Sequence, residues 1–270
     1  MNTLGIIIII AMAAEFALNL IINVLNLMNS SKPVPEEIND IFDTDEYHKS
    51  QQYTRHKTFL ELITGGFMLI ITWVFWLTGG FNYLDLLLRE ITTQPILLGL
   101  IYCLSLLIGS TLISLPFNIF ATFVTEQKFG FNQTTVKTFI GDQIKSLLLT
   151  VVLFGLLLSI VLAIFEYSNY AWLVCWIAVT IFTISITFIA PAWIMPLFNK
   201  FTPLEKSGLR TKIEDYAANV NFKFKNIFII DGSKRSSHSN AFFTGFGSTK
   251  RIALFDTQVK EHSENEILAI

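Results

Sequence analysis

Leu147-Leu148-Leu149-Thr150-Val151-Val152-Leu153-Phe154-Gly155-Leu156-Leu157-Leu158-Ser159-Ile160-Val161-Leu162-Ala163-Ile164-Phe165 decides the fold class. It is followed, after Glu166–Tyr170, by a second apolar run, Ala171–Ala190. Neither run contains a charged residue, and each reaches the roughly 20 residues a helix needs to cross a bilayer. A backbone in hydrocarbon must satisfy its own hydrogen bonds, so both read as membrane helices. Three further runs upstream have the same character: Leu4–Met28, Phe59–Leu77 and Ile96–Leu115. Pro191 and Pro196 follow the last run and are expected to end it.

The whole chain agrees with this local reading. Of its 270 residues 52% are hydrophobic and only 15% charged, against about 25% charged in a typical soluble domain. That excludes a disordered chain, a nucleic-acid module and an ordinary soluble enzyme. Net charge is −2, so no global field invites a polyanion. The two cysteines, Cys103 and Cys175, lie in apolar runs and offer neither a disulfide framework nor a metal site. The first run has some features of a signal peptide, with Ile6–Ile10 as a short core and Ala11-Met12-Ala13 as a small-residue site. No Lys or Arg precedes it and the apolar pattern continues to Met28, which favours a span.

Lys and Arg set the expected orientation. Counted through the four loops and the segment after the fifth run, they number 4, 1, 3, 0 and 11. Alternate segments are rich, as the positive-inside rule requires. The N-terminus is therefore expected outside or in the lumen, with the first and third loops and the C-terminal segment in the cytosol.

Glu15, Asn19, Asn23 and Asn26 share one face of the first helix. Polar groups facing lipid are costly, so the stripe points inward. It can line a water-filled cavity or join the helix to its neighbours. Thr180, Thr183 and Thr187 form a weaker stripe that reads as packing. Glu61, Asp142 and Glu166 lie near helix ends and read as interfacial, and His48 and His56 carry no ligand pattern. The first loop, with Glu36, Glu37, Asp40, Asp43, Asp45 and Glu46 among its bases, reads as a solvated, partly helical linker. The third loop, where aromatics alternate with charges from Leu115 to Asn132, reads as a segment packed at the membrane face.

From Phe201 the composition becomes that of a small α+β unit. Thr202-Pro203-Leu204-Glu205 predicts a capped helix reaching about Val220, with Leu209, Ile213, Tyr216, Ala217 and Val220 on its apolar face. Phe224–Ile230, Asn240–Thr244 and Arg251–Phe255 predict strands, with turns at Asp231-Gly232-Ser233 and at Gly245 and Gly247. Ser263-Glu264-Asn265-Glu266 is a second capping box. The expected fold is mainly α: a polytopic five-span membrane bundle (1–190) followed by a small, incomplete cytosolic α+β metalloprotease segment (191–270).

Three stretches carry a family resemblance. They are Leu115–Phe139 with its Glu-Gln-Lys-Phe-Gly-Phe-Asn element, the run from Asp231 to Phe246, and Arg251–Thr257 with Glu261–Ile267. In order and composition the chain resembles the type I CAAX prenyl proteases, integral-membrane zinc metallopeptidases. The resemblance implies cleavage of prenylated or membrane-associated peptides, and seven spans around a water-filled chamber with zinc on the cytosolic side. The lipid bilayer and such a peptide would be the partners, and nucleic acid would not. The membrane would be a bacterial inner membrane or the endoplasmic reticulum. The family's Asn-Ala-aromatic segment lies on an edge strand beside the zinc and pairs with substrate through its backbone. It maps onto Asn240, Ala241 and Phe242, with His238 just upstream. Read alone, the same residues fit a hairpin strand whose Asn is a turn residue. Glu15, Asn19, Asn23 and Asn26 would face the chamber.

The family's chemistry needs H-E-x-x-H on a helix, two His one turn apart for zinc and a Glu as general base. The histidines here are His48, His56, His238 and His262, no two of them four apart. The expectation is an N-terminal portion of such a protease that ends before the motif: no catalytic residues, no metal ligands, no bound zinc, no peptidase activity, and a fraying tail after Ser263. The rivals are a non-catalytic scaffold or binding paralogue that keeps the substrate strand, and an unrelated five-span transporter, against which the lack of an internal repeat counts.

Overall fold

The structure is a computed structural model that describes residues 3–30, 43–245 and 250–270. The expectations for Glu36, Glu37, Asp40, Phe246 and Gly247, and for Lys32, one of the four basic residues counted in the first loop, lie outside the described residues. The chain divides into two compact units, Met1–Gly130 and Phe131–Ile270. Among the described residues five helices are long and apolar enough to cross a membrane. Their large side chains are mostly exposed, for example Leu18 at 60%, Ile70 at 58% and Leu148 at 61%, as befits helices solvated by lipid.

The first unit contains three of the spans. α1 covers Thr3–Ser30 and α2 covers Thr44–Leu77. α2 begins fifteen residues before the apolar run because Asp43 caps it, accepting the Asp45 amide at 2.8 Å. α1 lays Phe16 over Gly65 and Gly66 of α2, where a Cβ at Gly66 would sit 3.3 Å from the ring. The second loop is not featureless. It folds into an amphipathic helix, α3 (Gly80–Arg89), entered through Gly79 at φ +79°, which a side chain would strain. Gly80 is also required to be small, because its Cβ would strike the Phe75 ring.

α4 runs Pro95–Phe120 and does not stop near Leu115. It passes Pro116, widens into a π-helical turn over Ala121–Glu126, and ends with α5 (Gln127–Phe129). The alternating aromatics and charges of this stretch are therefore helical, and the helix packs on α2. Phe129, 5% exposed, has its ring 5.3 Å from that of Tyr53 and 5.4 Å from that of His56. Tyr53 donates to Glu126 at 2.5 Å, and Lys128 Nζ lies 2.8 Å from His56 Nε2.

The second unit opens with α6 (Val136–Tyr167), capped by Thr135, and α7 (Ala171–Ile189). The turn between them carries Phe165, Tyr167, Tyr170 and Trp172, all at least 63% exposed, an aromatic belt at one membrane surface. Pro191 does not terminate α7. It sits in a second π turn, Ala190–Ile194, which leads without a break into α8 (Met195–Phe198), whose second residue is Pro196.

The C-terminal part holds a four-stranded sheet in the order β1-β2-β4-β3. The strands are β1 (Phe201–Pro203), β2 (Asn226–Ile230), β3 (Ala241–Thr244) and β4 (Arg251–Phe255). β2 and β4 run parallel, and β1 and β3 flank them antiparallel. The Thr202–Glu205 box does not cap a helix. Thr202 and Pro203 pair with β2 at an edge position that tolerates a proline, and the Leu204 amide donates to Ile227. Helix α9 instead spans Gly208–Asn219 and is capped by Ser207. Leu209, Ile213 and Ala217 are its buried stripe, whereas Tyr216 and Val220 are more than half exposed.

After β4 come α10 (Asp256–Glu261) and α11 (Glu264–Ala269), the latter with its Ser263/Glu266 capping box formed as expected. α11 has more support than a free two-turn helix would. Ile267 is 7% exposed and belongs to the core with Leu204, Leu209, Ile213, Ile227 and Leu254.

Candidate functional site: an edge strand and the loop that holds it

β3 is the last strand of the sheet, and among the described residues nothing pairs with its outer edge. The Phe255 amide donates to the Asn240 carbonyl at 2.9 Å, which fixes the register: Asn240, Phe242 and Thr244 turn their peptide groups toward β4. Ala241 and Phe243 turn theirs outward. The Ala241 amide is met by its neighbour's Asn240 Oδ1 at 2.9 Å, which leaves the Ala241 carbonyl and both polar groups of Phe243 for an extended chain. Such an edge is a template for strand addition.

The side chains around it divide by face. The Phe242 ring makes an edge-on contact with Phe255 at 6.3 Å, while Phe243, 68% exposed, meets Phe222 at 5.6 Å on the helix-covered face. His238 is exposed and stacks on Phe131, centroids 4.1 Å apart and planes 27° apart. Its carbonyl accepts from Thr257 Oγ1 at 3.0 Å, and Ser239 Oγ donates to Glu261 at 2.9 Å. The structure thus brings His238, Asn240, Ala241 and Phe242 into one continuous, two-sidedly anchored segment. Glu15, Asn19, Asn23 and Asn26 lie along α1 in the other unit; Asn23 is half-buried and the other three are exposed.

The strongest anchor was not visible in the sequence. Arg235 reaches Asp142 of α6 through two hydrogen bonds, of 2.6 and 2.9 Å, and also donates to the Phe198 carbonyl at 2.6 Å and to Asn199 Oδ1 at 2.8 Å. The same loop is bound through its backbone. Gln133 donates to the Arg235 carbonyl, Thr134 Oγ1 donates to it as well, and Ser237 donates to Phe131, all at 3.0 Å. Asp142 stands 93 positions from Arg235, so no local spacing betrays the pair. On the sheet side, Asp256 accepts from the Ser233 hydroxyl and amide and from the Thr257 amide. Burial works to raise its carboxyl, and these hydrogen bonds outweigh that and hold it below the usual carboxylate range.

Among the described residues no three His, Cys, Asp or Glu side chains converge as a metal site would require. The residues at hand do not make up a zinc donor set.

Comparison with known proteins shows the lineage. Residues 23–200 match the family described as CAAX prenyl protease N-terminal, five membrane helices. The chain belongs to the CAAX prenyl protease family. Residues 203–270 match Peptidase family M48, so the two matches run nearly end to end. A probable CAAX prenyl protease 1 of Schizosaccharomyces pombe is 39% identical over 84% of this chain and 51% of its own length. The CAAX prenyl protease 1 of Saccharomyces cerevisiae is 38% identical over 89% and 56%, and the Homo sapiens homologue 34% over 85% and 50%. The chain spans about half the length of these curated relatives. The crystal structure of S. mikatae Ste24p superposes with a TM-score of 0.92 at 35% identity, over all of this chain and 65% of that one. The family places the chain in a membrane as a multi-pass protein.

Proposed function

We propose that this chain supplies the membrane portion (1–190) and the substrate-binding strand (within 191–270) of a metalloendopeptidase that processes prenylated or membrane-associated peptides. The observation that carries this reading is the outward edge of β3, held rigidly by the 231–240 loop and offering the Phe243 N–H and C=O to an extended peptide. His238 and Phe242 would flank that peptide. Glu15, Asn19, Asn23 and Asn26 would give α1 a water-facing side toward a chamber. The N-terminus is outside or lumenal and the sheet cytosolic, following the Lys and Arg distribution. Zinc, the metal of the family, activates a water for peptide hydrolysis; the donor set for it is not among these residues, so no hydrolytic step is assigned to them.

Binding tests the strand. A farnesylated peptide ending in a C-a-a-X sequence is titrated onto the purified chain in nanodiscs. Phe243→Pro removes one outward N–H without touching the β4 ladder, and edge positions accept proline. Loss of that hydrogen bond is worth about 1 kcal/mol, so affinity is expected to fall several-fold to tenfold. Equal affinity of the proline variant would end this reading.

A second reading is a non-catalytic membrane binding protein. It is favoured by the absence of H-E-x-x-H from the 270 residues. Chelator-sensitive cleavage of the same peptide by the purified chain would exclude it.

A further inference from the structure

A cleft of about 420 Å³ opens within the first unit between the end of α1 and the start of α2. α1 contributes Val24, Leu27 and Met28, all apolar. α2 contributes His48, Gln51, Gln52 and Arg55. The two walls mark the same level. Met28 is the last apolar residue of its span, and Arg55 stands one helical turn before Phe59, where the apolar part of α2 begins. The cleft therefore sits at the boundary between hydrocarbon and headgroups, with an apolar wall from α1 and a polar wall from α2.

Among the described residues that line the cleft there is a formal positive charge, Arg55, and no carboxylate. The α2 positions one turn to either side of Arg55 are Gln51, Gln52, Thr58 and Phe59, none of them acidic. Among the described residues no carboxylate forms an ion pair with Arg55. The acids along α2 stand farther off: Glu61 is six residues after Arg55, and Asp45 and Glu46 are in the first turn, at the capping Asp43. On α1 the sole carboxylate, Glu15, lies nine residues before Val24, more than two helical turns away.

We propose that this cleft binds an anionic phospholipid, with the phosphate at Arg55, the amide of Gln52 donating to a headgroup oxygen, and an acyl chain along Val24, Leu27 and Met28. A guanidinium forks onto phosphate oxygens, and an apolar wall directly beneath it fits a lipid rather than a soluble anion. The loop that joins these helices falls on the cytosolic side in the orientation proposed above, and that leaflet carries the anionic lipids. The site belongs to the first unit alone and needs neither zinc nor peptide.

The test uses the full chain in a neutral detergent. Native mass spectrometry and thermal-shift titration compare phosphatidylserine, phosphatidylcholine and inorganic phosphate. Phosphatidylserine is expected to bind and stabilise, phosphatidylcholine much less. Arg55→Gln is expected to weaken phosphatidylserine about fivefold. Lys57→Gln, exposed on the same helix but outside the cleft, controls for general charge and should change it less than twofold. Circular dichroism reports whether each variant folds, and Gln52→Leu gives a second variant that leaves every charge in place. Equal binding of the two lipids, or equal losses from Arg55→Gln and Lys57→Gln, overturns the proposal. Binding of inorganic phosphate as strongly as phosphatidylserine refutes the lipid assignment in favour of a small-anion site. Detergent measurements do not depend on topology, so a wrong orientation shows up separately in cysteine-labelling of intact vesicles.

Discussion

Replacing Arg235 by Ala should loosen the loop that carries the candidate substrate strand while the sheet core stays closed. Arg235 and Asp142 are each about one-fifth exposed, 23% and 22%. Exposed pairs contribute about 0–1 kcal/mol, and breaking a fully buried pair costs about 3–5 kcal/mol. This pair is bidentate and mostly shielded, and its loss also strips a donor from the Phe198 carbonyl and from Asn199. A cost of about 3 kcal/mol follows, roughly a hundredfold in the local opening equilibrium. Two amides report it directly: Gln133, which donates to the Arg235 carbonyl, and Ser237, which donates to Phe131. Hydrogen exchange by mass spectrometry should show both speeding up about a hundredfold, while the fully buried Ile227 in β2 keeps its protection. Arg235→Lys keeps a charge but not the fork, and should recover at most part of the effect. In a double-mutant cycle with Asp142→Ala the coupling should be about 2 kcal/mol. Additivity within about 0.3 kcal/mol, or unchanged exchange at Gln133 and Ser237, would refute the reasoning.

Three further outcomes are expected. Gly232→Ala drives a Cβ into the Phe255 ring and should destabilise the sheet by about 1–3 kcal/mol, read by thermal unfolding in detergent. The hydrogen bonds to Asp256 stabilise the fold above the carboxyl's unfolded pKa, about 4, and that contribution is lost as pH falls through its lower folded value; Ser233→Ala should flatten this acid limb in a stability-versus-pH series. Gly66→Leu forces Phe16 off α2 and should lower the melting temperature, whereas Gly141→Ala, where an added Cβ meets nothing, should not.

The five spans were legible because hydrophobicity over 20 residues is a one-dimensional signal. Their ends were not. Asp43 extends α2 into a polar sequence, α4 continues through Pro116 to Phe120, and the helix of α7 passes Pro191 in a π turn. At Thr202–Glu205 a local capping pattern lost to a tertiary demand, since β2 needed a partner and Pro203 suits an edge. Tyr216 and Val220 fit the helical period but fall outside the stripe that the sheet covers. The strand of the candidate site was readable as a strand and, through the family resemblance, as a substrate strand. Its edge position depended on β4, later in the chain, pairing between β2 and β3. The Arg235–Asp142 fork and the His238–Phe131 stack join residues about a hundred positions apart, and periodicity says nothing at that range.

The π turn at Ala121–Glu126 has a consequence for how this chain tolerates changes in length. Such a turn holds one residue more than the α-helix on either side. Deleting a single residue there would leave a regular helix, with no bond broken and no side chain of the contact removed. What lies beyond would stay nearly in register, because the wide turn gives up its extra residue, and Phe129 would keep its place between Tyr53 and His56. The same deletion in the regular turns of α4 would rotate everything beyond it by about 100° and swing Phe129 out. The wide turn is therefore a place where a one-codon deletion should do less harm than it does a few residues earlier.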